Sequence, residues 1–177
     1  MKVFKFGGTS VGSIENMRSV MKIITDGEQK LVVLSAMSGT TNSLVEISDY
    51  LAKKNKESAL AVISALEKKY YNVVYDLYKS AEKKEQGKKV LEERFDVIKS
   101  FTSGTFNELG ERTLLAQGEL ISTALFALMM QEEGFNTALL PALDFMKIDS
   151  DKMPDMPYIK TKISEVIASG PKADYYI

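Results

Sequence analysis

A pair of glycines directly after the first apolar run is the feature that most restricts the fold of this chain. The apolar residues Val3 and Phe4 predict a short strand, and Gly12 and Ser13 precede an amphipathic stretch that predicts a helix. Glycine lets the backbone turn sharply and brings consecutive N–H groups close to a ligand. A helix that begins near Ser13 directs the positive end of its dipole to the same place. The sequence therefore predicts a strand, an anion-binding turn and a helix.

The residues of this turn carry an additional positive charge. In order, they are Lys5, Phe6, Gly7, Gly8, Thr9, Ser10 and Val11. The ammonium group of Lys5 is expected at the tip of the strand, beside the glycines. The segment matches neither the G-x-G-x-x-G nor the G-x-x-x-x-G-K-[ST] phosphate loop. Taken alone, it also fits an ordinary strand-to-helix turn with a surface lysine.

Short apolar runs predict a parallel sheet. Four such runs lack a regular polar and apolar alternation, namely Val3 to Phe6, Leu31 to Leu34, Thr137 to Leu140 and Asp174 to Ile177. Strands that are buried on both faces have this appearance. The runs are separated by helical patterns, so the sequence predicts an α/β fold whose helices cover both faces of a mainly parallel sheet.

The helical patterns between these runs differ in length. Ile14, Met17, Met21 and Ile24 lie on one face of a first helix, which is expected to end at Asp26-Gly27. A second stripe comprises Leu44, Ile47 and Leu51. Residues 59–84 and 88–101 predict an antiparallel helix pair that is broken at Gln86-Gly87. A further apolar helix is expected from Leu120 to Met130, with Glu119 in its first turn. An acidic residue at that position is also explained by its favourable interaction with the helix dipole alone.

Composition excludes several kinds of chemistry. The chain has 177 residues and contains no cysteine and no histidine, so disulfide frameworks, thiolate nucleophiles, Ser-His-Asp triads and Cys/His zinc sites are excluded. Carboxylate, lysine and hydroxyl groups remain available. A kinase that phosphorylates a carboxylate needs no more than these, because its acceptor is already ionised at neutral pH.

Charge and hydropathy restrict the possible partners and location. The net charge of −1 gives no basic field for nucleic acid. No apolar run is expected to be long enough to cross a membrane. Met1-Lys2 is followed directly by a predicted strand and not by the apolar stretch of a signal peptide. We therefore expect a cytoplasmic protein that binds neither nucleic acid nor membrane.

Three ordered motifs resemble those of the aspartokinases, within the wider amino-acid kinase family. The first is the glycine turn. The second is Leu34-Ser35-Ala36-Met37-Ser38-Gly39-Thr40-Thr41-Asn42, and the third is Gln117-Gly118-Glu119-Leu120-Ile121-Ser122-Thr123. The resemblance spans essentially the whole chain and is loose between about residues 57 and 108.

The resemblance implies a fold and an activity. The fold would be the three-layer α-β-α sandwich of amino-acid kinases. The intact enzyme would transfer the γ-phosphoryl group of ATP, accompanied by Mg²⁺, to the β-carboxylate of L-aspartate in lysine, methionine and threonine biosynthesis. Lys5 would be catalytic, and residues 5–10 would bind phosphate. Ser35, Thr41 and Glu119 would hold aspartate, and no side chain is assigned to a metal.

The chain also departs from the family pattern. It has Pro141-Ala142-Leu143 where many aspartokinases carry Asp-Ala-Arg, so no arginine contact is transferred. The family continues beyond a strand like Asp174 to Ile177, so residues 1–177 are expected to form a truncated domain. This would be the amino-acid-binding part of the catalytic domain, with a helical excursion at about 57–104. It would lack the nucleotide-binding half and the regulatory domains, and it would be inactive alone.

Two alternatives to an aspartate kinase remain open from the sequence. One is another amino-acid kinase, acting on glutamate or carbamate. The other is a non-catalytic half-domain that binds an amino acid or a partner. A homo-oligomer is expected in either case, because an apolar sheet edge would be exposed.

Overall fold

Four parallel strands form the central sheet of the structure, a computed structural model that describes residues 1–177. The strands are β1 (Lys2–Phe6), β2 (Lys30–Leu34), β3 (Thr137–Ala138) and β4 (Tyr175–Tyr176). Their order across the sheet is β1-β2-β4-β3, and all three pairings are parallel. The predicted α/β class, the four strands and their parallel arrangement are confirmed.

Six α-helices and one 3₁₀ turn complete the fold. The helices are α1 (Ile14–Ile24), α2 (Thr40–Ala52), α3 (Lys56–Leu77), α4 (Ala81–Ser100), α5 (Glu108–Glu132) and α6 (Met156–Ser169), and the 3₁₀ turn is Ala142–Asp144. Ser13 caps α1 by accepting a hydrogen bond from the N–H of Asn16, so this helix begins where the sequence predicts.

The helices are divided unequally between the two faces of the sheet. Val32 and Leu34 point to one face, where they join the main hydrophobic core with residues of α1 to α5. Ala138 and Tyr176 form a small cluster that packs against Ile167 of α6. The structure therefore has three layers, but its second helical layer consists of α6 alone.

The first strand lies at an edge of the sheet. The sequence predicts that β1 is buried on both faces, and this prediction was wrong. Val3 is 66% exposed, whereas Val32 on the adjacent strand is buried. Only Phe6 of β1 packs against the main core. An apolar run identifies a strand, but the side chains packed on each face of the sheet decide which of its residues are buried.

Helices α3 and α4 form the expected antiparallel pair, but the break between them is not at Gly87. Phe95 contacts Tyr70, with ring centroids 6.2 Å apart, and Lys99 forms an ion pair with Glu67 at 2.7 Å. The turn between the helices is residues 78–80. Gly87 lies inside α4, where an added Cβ would be 2.7 Å from the Tyr78 ring. This glycine therefore serves close packing.

Helix α5 is longer than the sequence analysis expected. It begins at Glu108, where Asn107 accepts a hydrogen bond from the N–H of Gly110 at 2.9 Å. Glu119 therefore lies in the middle of a helix of 25 residues, and the explanation that it complements a helix dipole was wrong. Helix α5 is long and apolar enough to cross a membrane, whereas the sequence analysis expected no run of that kind. It is nevertheless the central core helix, with 61% of its most apolar window buried.

Glu132, the last residue of α5, holds the start of α4. Its carboxylate accepts hydrogen bonds from the backbone N–H groups of Lys79 and Ser80 and from the Ser80 hydroxyl, at 2.8–3.1 Å. Burial raises the pKa of Glu132, but these hydrogen bonds together lower it by a larger amount. The pKa of Glu132 is therefore below its usual value. The carboxylate thus stabilises the turn between α3 and α4 in its ionised form.

We expect Glu132→Gln to lower the free energy of unfolding by about 1 kcal/mol near neutral pH, because charge-assisted hydrogen bonds are lost. A carboxyl group with a lowered pKa stabilises the fold above its unfolded-state pKa, and this contribution disappears as the pH falls through the folded-state pKa. The difference from the unmodified chain should therefore shrink as the pH falls from neutral through the folded-state pKa. Urea unfolding across this pH range measures this, with Glu93→Gln as the control; a difference that persists in acid would contradict it.

Candidate functional site

The first two motifs meet at the carboxyl edge of β1 and β2. The N–H of Ser35 donates to the carbonyl of Phe6 at 3.1 Å, and the Ser38 hydroxyl donates to the carbonyl of Gly8 at 3.3 Å. A Cβ on Gly8 would lie 3.2 Å from the Ala36 carbonyl oxygen. The glycine turn and the loop after β2 are therefore in direct contact. In open α/β sheets, ligands bind at this edge.

Three consecutive backbone amides of the glycine turn are available to a ligand. The carbonyl of Gly7 accepts hydrogen bonds from the N–H groups of Ser10 and Val11, at 2.9 and 3.3 Å. The N–H groups of Gly7, Gly8 and Thr9 donate to no other group of the protein. Such a row of unpaired donors in a turn is suited to an anion.

The ammonium group of Lys5 lies beside these amides. Its Nζ is 3.8 Å from the position that a Cβ of Gly7 would occupy. The side chain is exposed and forms no ion pair or hydrogen bond within the protein. The turn therefore combines three free N–H donors with one uncompensated positive charge.

The third motif brings Glu119 to the loop after β2. Oε1 of Glu119 accepts a hydrogen bond from the N–H of Ala36 at 3.3 Å, and the Ser122 hydroxyl donates to the carbonyl of Ser35 at 2.8 Å. Oε2 of Glu119 and the hydroxyl of Ser35 have no partner in the protein. Both groups are accordingly available to a ligand at this edge.

Gly118 allows α5 to approach this loop closely. A Cβ at this position would lie 2.9 Å from the Cβ of Ala36 and 3.2 Å from Cγ2 of Thr40. It would also lie 3.3 Å from a methyl group of Leu44. Only a residue without a side chain fits here, which explains why the motif places a glycine directly before Glu119.

A buried tyrosine supports the same loop from below. The hydroxyls of Tyr70 and Thr40 are 2.8 Å apart and both side chains are buried. Burial raises the pKa of Tyr70 to about 12, against the opposing effect of the Thr40 hydrogen bond, and the charge of Glu119 raises it slightly. Tyr70 is therefore neutral under physiological conditions.

Lys69 is a residue at this site that the sequence analysis missed. Its Nζ donates to the carbonyl of Ser38 at 2.7 Å, and partial burial lowers its pKa. It belongs to α3, and no spacing pattern in the sequence connects α3 with the loop after β2. Gly39, at the end of that loop, has a φ of +79° and provides no side-chain cap for α2.

Thr41 forms no hydrogen bond with the other site residues. Thr41 lies in the first turn of α2 and is exposed, and its hydroxyl has no partner in the protein. Its neighbour Thr40 instead takes the buried position.

A cleft of about 230 Å³ lies next to Glu119. It is lined mainly by aliphatic side chains of β2 together with Leu140 and Phe145, and Glu119 is its only charged residue. Nowhere in the chain do three or more acidic side chains come together in a way that would hold a metal ion. Mg²⁺ that accompanies a nucleotide is bound largely through the phosphates, so no chemical step is assigned to it.

Comparisons with known proteins identify relatives that match most of this chain. The family model described as amino acid kinase family matches residues 1–171. Lysine-sensitive aspartokinase 3 of Escherichia coli (strain K12) is 33% identical over 137 residues, which cover 73% of this chain and 28% of that protein. The chloroplastic bifunctional aspartokinase/homoserine dehydrogenase of Daucus carota is 27% identical over 156 residues, which cover 83% of this chain and 16% of that protein. The chain thus spans less than a third of the length of these relatives.

Two solved structures share the fold. E. coli aspartokinase III in complex with aspartate and ADP has a TM-score of 0.77 and 24% identity, covering 93% of this chain and 37% of that one. Clostridium acetobutylicum aspartate kinase has a TM-score of 0.75 and 17% identity, covering 99% of this chain and 38% of that one. The predicted amino-acid kinase fold is therefore confirmed.

We expect Gly118→Ala to destabilise the fold by about 1 to 2 kcal/mol, because the added methyl group overlaps Ala36. Intrinsic helix propensity alone would favour alanine by about 1 kcal/mol, so the two effects have opposite signs. Adding Ala36→Gly should restore part of the loss, because contacts with Thr40 and Leu44 remain. Urea unfolding of the unmodified chain, of Gly118→Ala and of the double variant measures this; a Gly118→Ala variant of increased stability would refute the close-packing explanation.

Proposed function

Because the chain belongs to the amino acid kinase family, we propose that it forms the amino-acid-binding part of an aspartate kinase catalytic domain. Such an enzyme transfers the γ-phosphoryl group of ATP to the β-carboxylate of L-aspartate and thereby begins a route to lysine, threonine and methionine. The observation that carries the proposal is the contact between the glycine turn and the loop after β2, which Glu119 reaches from α5. A phosphate site and an amino-acid site would then be adjacent.

The relatives support aspartate and a nucleotide as ligands. One solved neighbour is described as a complex with aspartate and ADP, and another, at 23% identity, as a complex with lysine and aspartate. Aspartokinases of Rickettsia bellii and Pseudomonas putida are 41% and 43% identical over 61 and 65 residues, respectively. We take aspartate as the acceptor for this chain because all of these names agree on it.

The residues at the phosphate side would act by binding and charge neutralisation. The free N–H groups of Gly7, Gly8 and Thr9 would donate to phosphate oxygens, with Phe6 and Ser10 completing the turn. The ammonium group of Lys5 would reduce the repulsion between the phosphates and the attacking carboxylate. Lys5 is suited to this because no carboxylate of the protein neutralises it.

The residues at the amino-acid side would orient the acceptor. Oε2 of Glu119 would accept a hydrogen bond from the substrate ammonium group, and the hydroxyls of Ser35 and Thr41 would donate to its carboxylates. The β-carboxylate is ionised at neutral pH, so it needs no general base. One of its oxygens bonds to the γ-phosphorus while the bond from that phosphorus to the β,γ-bridging oxygen breaks, and ADP leaves with the electron pair.

Two further properties go with this function. A reaction that consumes ATP is consistent with a cytoplasmic location. The exposed edge strand β1, with Val3 open to solvent, supports association into a homo-oligomer. Sedimentation velocity measures that association, and a monomer at all concentrations would count against it.

We expect the chain to bind L-aspartate saturably and L-glutamate much more weakly. Titration calorimetry of both amino acids and of carbamate measures this preference. Glu119→Gln should weaken aspartate binding by about tenfold, because a charge-assisted hydrogen bond to the ammonium group becomes a neutral one. A matched control is Glu111→Gln on the exposed side of α5. A preference for glutamate or carbamate would assign the chain to another amino-acid kinase.

We expect Lys5→Ala to lower kcat of the complete enzyme by about 100-fold or more, because the charge that neutralises the transferred phosphoryl group is lost. The fold should not change, since Lys5 is exposed and has no partner in the protein. Lys22→Ala removes a similarly exposed lysine from α1 and should leave kcat unchanged. Steady-state kinetics and circular dichroism test both variants, and unchanged turnover of Lys5→Ala would exclude this role.

A further inference from the structure

A single peptide unit of the loop after β2 is held on both sides by α5. The carbonyl of Ser35 accepts a hydrogen bond from the Ser122 hydroxyl at 2.8 Å, and the N–H of Ala36 donates to Oε1 of Glu119 at 3.3 Å. These two groups belong to the same peptide bond, between Ser35 and Ala36. Glu119 and Ser122 are three residues apart and so lie on one face of α5. We call this arrangement the peptide clamp.

The Ser122 hydroxyl is committed to this loop. A serine within a helix commonly hydrogen-bonds a carbonyl of its own preceding turn. Ser122 also reaches the carbonyl of Glu119, but at 3.2 Å, so the contact with Ser35 is the shorter one. The Ser122 side chain is fully buried, so its hydroxyl does not bond to solvent instead. Without this hydroxyl, the Ser35 carbonyl would lose its only donor.

The clamp also fixes the orientation of Glu119. The carboxylate uses Oε1 for the Ala36 amide, and Oε2 is left without a partner in the protein. When one oxygen of a carboxylate is hydrogen-bonded to the protein, the direction of the other oxygen is fixed. If the Ser35–Ala36 peptide rotates, the Ala36 amide moves away, and Glu119 is free to adopt other rotamers.

We propose that Ser122 is a positioning residue for the amino-acid substrate, a role that rests on the proposed function. By holding the Ser35 carbonyl, Ser122 keeps the Ala36 amide directed at Glu119, and Glu119 then presents Oε2 to the ammonium group of the amino acid. Ser122 itself does not touch the substrate. The same peptide carries the Ser35 side chain, so both polar groups on this side of the site depend on one buried hydroxyl.

The test compares Ser122→Ala with Thr113→Ala. Thr113 lies on the same helix but is exposed, and its hydroxyl donates only to the carbonyl of Leu109. Hydrogen exchange followed by NMR reports on the Ala36 amide, and calorimetry on the complete enzyme gives the dissociation constants of L-aspartate and ATP. For Ser122→Ala we expect the Ala36 amide to exchange about tenfold faster and the aspartate constant to rise about five- to tenfold, with the ATP constant unchanged. Thr113→Ala should change none of these.

Three results would overturn the role of Ser122. These are unchanged exchange of the Ala36 amide, faster exchange with unchanged aspartate affinity, or equal loss of aspartate and ATP affinity, which would indicate general destabilisation. The exchange measurement needs no substrate, so it decides whether the clamp exists independently of function. An unmodified chain that binds no aspartate but has a protected Ala36 amide would contradict the proposed function while leaving the clamp intact.

Discussion

The close approach of α5 to the loop after β2 is the contact on which the candidate site depends. Gly118 makes it possible, because any side chain there would overlap Ala36. Once α5 lies at this distance, Glu119 reaches the Ala36 amide and Ser122 reaches the Ser35 carbonyl. The Glu119 carboxylate is thereby placed by the packing of a core helix, and not by the loop that it contacts. Sites supported by regular elements are held more firmly than sites made of loops alone.

The glycine turn packs against this loop and is therefore held by the same contacts. The loop after β2 contacts the turn after β1 through Ser35, Ala36 and Ser38, so a displacement of α5 would also disturb the glycine turn. Lys69 adds a third anchor, because it holds the Ser38 carbonyl from α3. Helix α3 therefore supports the site directly, although it carries no motif residue.

Three sequence-based predictions were wrong for the same physical reason. Gly87 has the sequence appearance of a helix break, but it lies within α4 because Tyr78 packs against it. Glu119 seemed to begin a helix, but the Asn107 cap lies twelve positions earlier and starts α5 there. The apolar β1 was expected to be covered on both faces, but it lies at the sheet edge. In each case the local pattern was compatible with two structures, and tertiary packing chose between them.

The sequence by itself determined the α/β class, the four strands, the glycine turn and the family, because these depend on local periodicity, on glycine geometry and on ordered motifs. It also identified Lys5 and Glu119 as residues to examine. Only the tertiary structure decided that Glu119 and Ser122 hold one peptide, that Lys69 supports the loop and that Thr41 forms no hydrogen bond there. These facts depend on distances between residues far apart in the chain, and no spacing pattern within a single helix or strand records them.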